Sequence, residues 1–241
     1  KLEAHFSGSA LDKASVSTFT NGFYNSISNT ISWNLVGEDG TTSLSPGDEG
    51  SLMFSFASLA DTSGGKNRDI TLDLSLTGRP VGSSQTVTVR EARVIKVASQ
   101  VTLTSKVVHS FGPFRNTGFV PPQAEKETTY SVLWSVGNTQ NALTDARVTA
   151  RLGPAVKWVN SYSASPEEIS YDETNNTVTW NLAGLASGTG FSTPERQVAF
   201  QVSFTPSVSQ VGMTPTLVNS IVFTGFETVA QKTVTISSPA L

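Results

Sequence analysis

Asn29-Thr30-Ile31-Ser32-Trp33-Asn34-Leu35 returns almost verbatim as Asn176-Thr177-Val178-Thr179-Trp180-Asn181-Leu182, 176 minus 29 or 147 residues downstream. The offset persists beyond the motif. Leu76-Thr77-Gly78 matches Phe223-Thr224-Gly225, and Thr86-Val87-Thr88-Val89 matches Thr233-Val234-Thr235-Ile236. Three matches at one spacing point to a single module present twice. Around each Trp the apolar residues alternate with Thr and Ser, the period of two expected of a strand with one face in a core. Trp33 and Trp180 share their place in the repeat, so core packing outweighs sugar stacking for both.

Working outward, Tyr130, Val132, Trp134 and Val136 alternate with Thr129, Ser131, Leu133 and Ser135 and predict a central strand. Further strands are expected over residues 101–108, 146–152, 156–162, 177–182, 197–204, 216–223 and 228–236. Their separators, Gly137-Asn138, Gly153-Pro154, Asn175-Asn176 and Gly188-Thr189-Gly190, carry turn chemistry. Eight short strands over residues 98–241 predict an all-β, immunoglobulin-like antiparallel sandwich. In residues 1–97 only the later part of the pattern is visible: strands over 30–35, 51–56, 70–76 and 86–89. Shifted by 147, Lys1 falls opposite Val148, so this first sandwich lacks its opening strands.

A sandwich without a central strand exposes apolar surface and unpaired backbone. Three arrangements resolve this: the strands belong to a preceding part of a longer array, a neighbouring subunit supplies them by strand addition, or the first domain is smaller and rearranged. Lys1 is not a translational start and the only methionines are Met53 and Met213, so the chain reads as processed or excerpted. The junction 90–100 holds no Gly/Ser or Pro tract, which predicts a stiff connection.

Composition narrows the function classes. Charged residues make up 15% of 241 residues, against about a quarter in an average domain. A net charge of -3 without a Lys/Arg stripe argues against nucleic acid. Cysteine is absent, which removes disulfides and thiolate chemistry. No apolar run approaches the roughly 18 residues of a membrane span.

The order of a Tyr-rich strand running into Gly137-Asn138, then residues 148–152, then the Asn-Thr-x-x-Trp-Asn-Leu strand resembles a known family. It is similar to the immunoglobulin-like conserved-repeat domains of unknown function in long cell-surface proteins of bacteria and archaea. Asn219 fits the family's late Asn-bearing strand; the first module has Leu72 there. The resemblance implies an extracellular, cell-surface stalk, adhesin scaffold, surface-layer component or filament subunit, non-enzymatic and without cofactor. Its partners would be neighbouring repeats or subunits.

Candidate chemistry is sparse. His5 and His109 lie in different modules without a linked carboxylate pattern, so a catalytic triad is not expected. Ser63-Gly64-Gly65-Lys66 matches Ser-x-x-Lys without its companion motifs. Asp48-Glu49, Glu167-Glu168 and Asp172-Glu173 read as solvated turns rather than glycosidase pairs, and they lack a calcium-loop pattern. Lys106 and Asn219 are candidates for an intramolecular isopeptide pair, with Glu127 or Asp145 as the assisting acid. Asn175-Asn176-Thr177 is a glycosylation sequon. Trp158, Tyr162 and Tyr171 have no aromatic partner in the first module, because 158 minus 147 lands on Leu11, and could form a carbohydrate-stacking surface, although core packing outweighs it. The long connection 109–126, carrying Phe111, Phe114, Arg115 and Phe119, is the first place to look for a contact. The runner-up function is therefore a carbohydrate- or protein-binding module.

Overall fold

The computed structural model describes residues 1–37, 40–59, 68–163 and 166–241. The chain divides after Val97 into two compact β units. In the first, β1 (Leu2–Ser7), β3 (Phe23–Asn25), β4 (Thr30–Trp33), β6 (Asp69–Gly78) and β7 (Val87–Lys96) form a five-stranded antiparallel sheet in the order β3-β4-β1-β6-β7. β2 (Leu11–Thr18) and β5 (Phe54–Ser58) pair as a second, two-stranded sheet. Phe6, Ile31, Trp33 and Ile70 are buried in the core of this unit, with Leu52, Phe54 and Phe56 packed against them.

The second unit adds β8 (Val101–Val108) and β9 (Thr128–Asn138) ahead of β10 (Leu143–Leu152), β11 (Val156–Tyr162), β12 (Glu168–Asp172), β13 (Thr177–Leu185), β14 (Arg196–Phe204), β15 (Val218–Glu227) and β16 (Lys232–Ser238). One sheet runs β12-β13-β10-β15-β16 and the other β11-β14-β9-β8. Tyr130, Val132, Trp134 and Val136 of β9 point into the core with Trp180, Phe200 and Phe223, as their alternation requires.

The two five-stranded sheets share one strand order. Leu2 stands between Trp33 and Leu76 as Val148 stands between Trp180 and Phe223. Leu2, not Lys1, thus takes the place of Val148, a one-residue offset from the 147 spacing. The repeated Asn explains itself. Asn29 and Asn176 have φ of 50° and 52°, a left-handed turn that Asn tolerates, and their carbonyls accept the N–H of Phe6 at 2.8 Å and Leu152 at 3.1 Å.

Several expectations need correction. The first unit has seven strands among its described residues, β1, β2 and β3 standing beyond the four that the sequence predicts, and β12 adds a ninth to the second. The stretch 90–96 is strand rather than junction: β7 pairs with β6 from Val87 to Lys96. Tyr171 does have an aromatic counterpart, since Tyr24 faces Ile31 as Tyr171 faces Val178. Leu72 is matched by Val218 rather than Asn219: a ladder irregularity beside Ser220, with φ of 51°, sets Val218 across from Leu152 as Leu72 lies across from Phe6.

Candidate functional site

The strands without counterparts decide where the first unit is open. In the second unit every residue of β14 from Arg196 to Phe204 pairs with β9. β5, which occupies the place of β14, has a strand partner only in β2 among the described residues. Its other edge is open among the described residues.

The consequence reaches the facing sheet. Val234 and Ile236 on β16 pack against the core alongside Leu103 and Val107 of β8, and Ser105 and Ser238 bond through their hydroxyls at 2.7 Å. Val87 and Val89 hold the same ladder positions, opposite Gly78 and Leu76, yet are 53% and 62% exposed. Leu76 itself is 42% exposed where Phe223 is 0%. A cleft of about 380 Å³ opens here, with Leu35, Leu44, Leu76, Val87 and Val89 in its wall and Lys1 and Arg79 at the same cleft. Such a contiguous apolar surface on a strand face is a binding surface or an aggregation hazard.

The ionisable residues are used to frame the units. Arg196 donates through Nε to Glu167 Oε1 and through Nη2 to Oε2, both at 2.7 Å, and through Nη1 to the carbonyls of Leu182 and Gly184. Glu167 Oε2 also accepts the Trp180 indole N–H at 2.7 Å. Glu168 accepts from Asn181. Asp172 accepts from Thr174 N and Asn175 Nδ2, and the Asn175 bond leads in holding its carboxyl below the usual 3.8. Asp48 accepts the Ser45 N–H. Burial pushes the Tyr24 and Tyr130 phenols up. His5 meets Thr30 Oγ1 and His109 meets the Thr117 carbonyl. Among the described residues no group of His, Asp and Glu is placed to hold a metal. Ser63 to Lys66 lies outside the described residues.

One group escaped the sequence reading. Glu227, fully buried, accepts the Ser99 N–H at 3.0 Å, Asn141 Nδ2 at 2.7 Å and the Ala230 N–H at 3.1 Å. Beside it Asn138 Nδ2 donates to the carbonyls of Asn141, Leu185 and Ala186. The donors of a polar turn buried at one end of the second unit thereby find acceptors, while the Asn138 Oδ1 and Gln140 Oε1 acceptors are buried without a partner.

The candidate isopeptide pair is not brought together. Lys106 is exposed and lines a cleft with Thr104, Leu133, Gln197 and Pro113 on the outer face of the four-stranded sheet. Asn219 sits across from exposed Arg151 on the other sheet, so the core separates the two. Nor does either candidate acid bond to Lys106: Glu127 leads into β9, and Asp145 sits at the β10 irregularity with φ of 51°.

The loop 109–126 is pinned by its polar residues. Asn116 donates to the carbonyls of Val108 and His109 and to Ser131 Oγ, while Gln201 donates to the Arg115 carbonyl and to Asn116 Oδ1. Phe114 is half-buried and Arg115 exposed. Phe111 and Phe119 remain 75% and 51% exposed, with the Lys126 ammonium 5.1 Å over the Phe119 ring. By contrast, Trp158 stacks on Tyr171 at 5.6 Å and on Tyr162 at 6.1 Å, so its stacking capacity is used within the protein.

No family model matches the chain, and no curated protein does. Among solved structures it is similar to the RrgA Jo.In complex, at 8% identity and TM-score 0.37, covering 57% of this chain and 76% of that one. It is also similar to the C-terminal domain of the Streptococcus agalactiae AgI/II polypeptide BspA, at 11% identity and TM-score 0.30, covering 97% and 82%. At these values neither likeness bears on function. Among the described residues no helix is long and apolar enough to cross a membrane, which leaves strands unaddressed.

Proposed function

We propose that the chain is a non-enzymatic structural segment of an extracellular, cell-surface repeat protein: a stalk, adhesin scaffold, surface-layer or filament component. One observation carries this reading. Both units raise the same five-strand sheet around the same buried Trp, and the ionisable groups described above cap turns or brace that frame. The segment needs no cofactor, and its natural partners are neighbouring repeats or subunits. Labelling intact cells of the producing organism with a membrane-impermeant biotin reagent tests it. The chain should be tagged without lysis; tagging only after lysis sinks the reading.

A second reading, a carbohydrate- or protein-binding module, is favoured by the exposure of Phe111 and Phe119 on a pinned loop, because ordered aromatics are low-entropy contact groups. A polysaccharide microarray probed with the whole chain and with Phe111→Ser tests it: binding that the substitution abolishes supports the module, and no binding removes its carbohydrate form.

A further inference from the structure

The open face of the first unit has a defined shape, because the second unit displays the same architecture with that face covered. We infer that it is an acceptor for a β-hairpin of the β8–β9 kind, supplied by polypeptide joined ahead of β1. In the second unit β9 runs antiparallel to β14, with Tyr130 opposite Val202, Val132 opposite Phe200 and Trp134 opposite Val198. The ladder of β2 with β5 places Phe56, Phe54 and Leu52 in those positions: Leu11 pairs with Ser58 and Thr18 with Phe54, as Val156 pairs with Phe204 and Tyr162 with Phe200. The inner strand of the hairpin therefore takes the free edge of β5, with large apolar residues at alternate positions facing Phe56, Phe54 and Leu52. Main-chain bonds to that edge supply affinity and the alternate side chains supply register. The outer strand covers Val87 and Val89, as β8 covers Val234 and Ile236.

The source follows from reach and from coverage. β9 ends at Asn138 and hands over to β10 through residues 139–142 alone, and Val148 is the counterpart of Leu2, so a strand docked on β5 ends 148 minus 138, or ten, residues ahead of Leu2. A second copy of this chain is a poorer donor. Its β9 is paired on both edges, with Val132, Trp134 and Val136 buried, and cannot be lent without opening that core. Pairing of β5 with β5 of another copy brings only five residues to the edge and leaves β7 bare.

Hydrogen exchange tests this on the full chain, read at the β5 amides with those of β14 as internal reference. A second chain carries a copy of residues 98–146 fused ahead of Lys1. The Ala57 and Leu59 N–H groups are bonded toward β2, so fusion should slow exchange of the alternate Phe54, Phe56 and Ser58 amides by about a hundredfold, the step from an open edge to a paired one, and reduce binding of an apolar dye. Val132→Pro with Trp134→Pro in the added copy should abolish the gain. Unchanged β5 exchange while β14 stays protected overturns the acceptor. Protection that rises with concentration in the unfused chain overturns the source in favour of a second copy. Protection by the same hairpin added as a separate peptide, equal to that of the fused one, overturns it in favour of a separate partner. Exchange reads the face whereas cell labelling reads location, so either can fail alone.

Discussion

Trp33 and Trp180 stand at one ladder position, opposite Leu2 and Val148, but only Trp180 has an acceptor for its indole N–H: Glu167, at 2.7 Å. The Trp33 Nε1 is buried without a partner, with Gly22 packed on it. Substitution by Phe removes similar apolar area at both positions, so the difference between the two variants isolates the hydrogen bond. Trp180→Phe should cost the second unit about 2 kcal/mol more than Trp33→Phe costs the first, the range for a bond to a charged acceptor. Urea denaturation followed by NMR signals assigned to each unit checks this. Equal losses would show that the Glu167 contact contributes nothing net.

Glu227 gives a second prediction. Its carboxylate accepts from Ser99, Asn141 and Ala230, all donors, in a fully buried site. Glu227→Ala takes the acceptor from the Ser99 and Ala230 N–H groups and should destabilise the second unit by about 3 kcal/mol. Glu227→Gln turns an NH2 toward one of the donors and should recover only part of that loss. Midpoints of urea unfolding decide, and a glutamine variant at wild-type stability would rule out the need for an all-acceptor group.

The frame was legible in the sequence where burial alternates. Tyr130 to Val136 declared β9, and the paired Asn-Thr-x-x-Trp-Asn-Leu runs located β4 and β13 and both buried indoles. The ends of strands held by pairing rather than burial were not legible. β7 is exposed throughout, and past Val89 it carries Arg90, Glu91, Arg93 and Lys96, so that half of its ladder to β6 shows no alternation of apolar and polar residues. β3 spans only three residues, too few for a period. The bracing of Trp180 by Glu167 and Arg196 joins residues up to 29 apart and is hidden in the sequence because Glu167 beside Glu168 reads as a turn. Lys106 and Asn219 illustrate the converse. Sequence places each on a strand but not on a face, and the irregularity beside Ser220 changes what its neighbours oppose.

Two shifted groups in one turn set opposite pH limits on β12 and β13. The Asp172 carboxyl is held low, first by Asn175, so its contribution is present above the ordinary value near 3.8 and is lost as pH falls through the lower folded value. Tyr171 is raised, by burial first and then by Glu173 and Asp172. Its contribution is complete below 10.0 and is lost as pH rises through the higher folded value, since the unfolded phenol ionises first. NMR titration should find Asp172 below and Tyr171 above those reference values. Asp172→Asn with Asn175→Ala should remove the acid limb. A Tyr171 titrating at or below 10.0 contradicts the burial of its ring beside Asn176, whose Oδ1 accepts its hydroxyl at 2.8 Å.

Val89 and Ile236 separate the open face from the closed one by a single substitution. The two share a ladder position, but Val89 is 62% exposed while Ile236 packs against the core under β8. Val89→Lys should change stability by no more than about 0.5 kcal/mol, as expected of an exposed site, and should raise solubility because lysine on an exposed edge opposes strand-to-strand association. Ile236→Lys should cost about 3 kcal/mol, since the ammonium must be buried or β8 displaced. The contrast sharpens when a hairpin is joined ahead of Lys1. Covering the first unit turns position 89 into an interior site, so Val89→Lys should then become costly, approaching the Ile236→Lys loss. If that substitution stays neutral in the fused chain while the Phe54, Phe56 and Ser58 amides are protected, the inner strand has docked on β5 but the outer one does not reach β7.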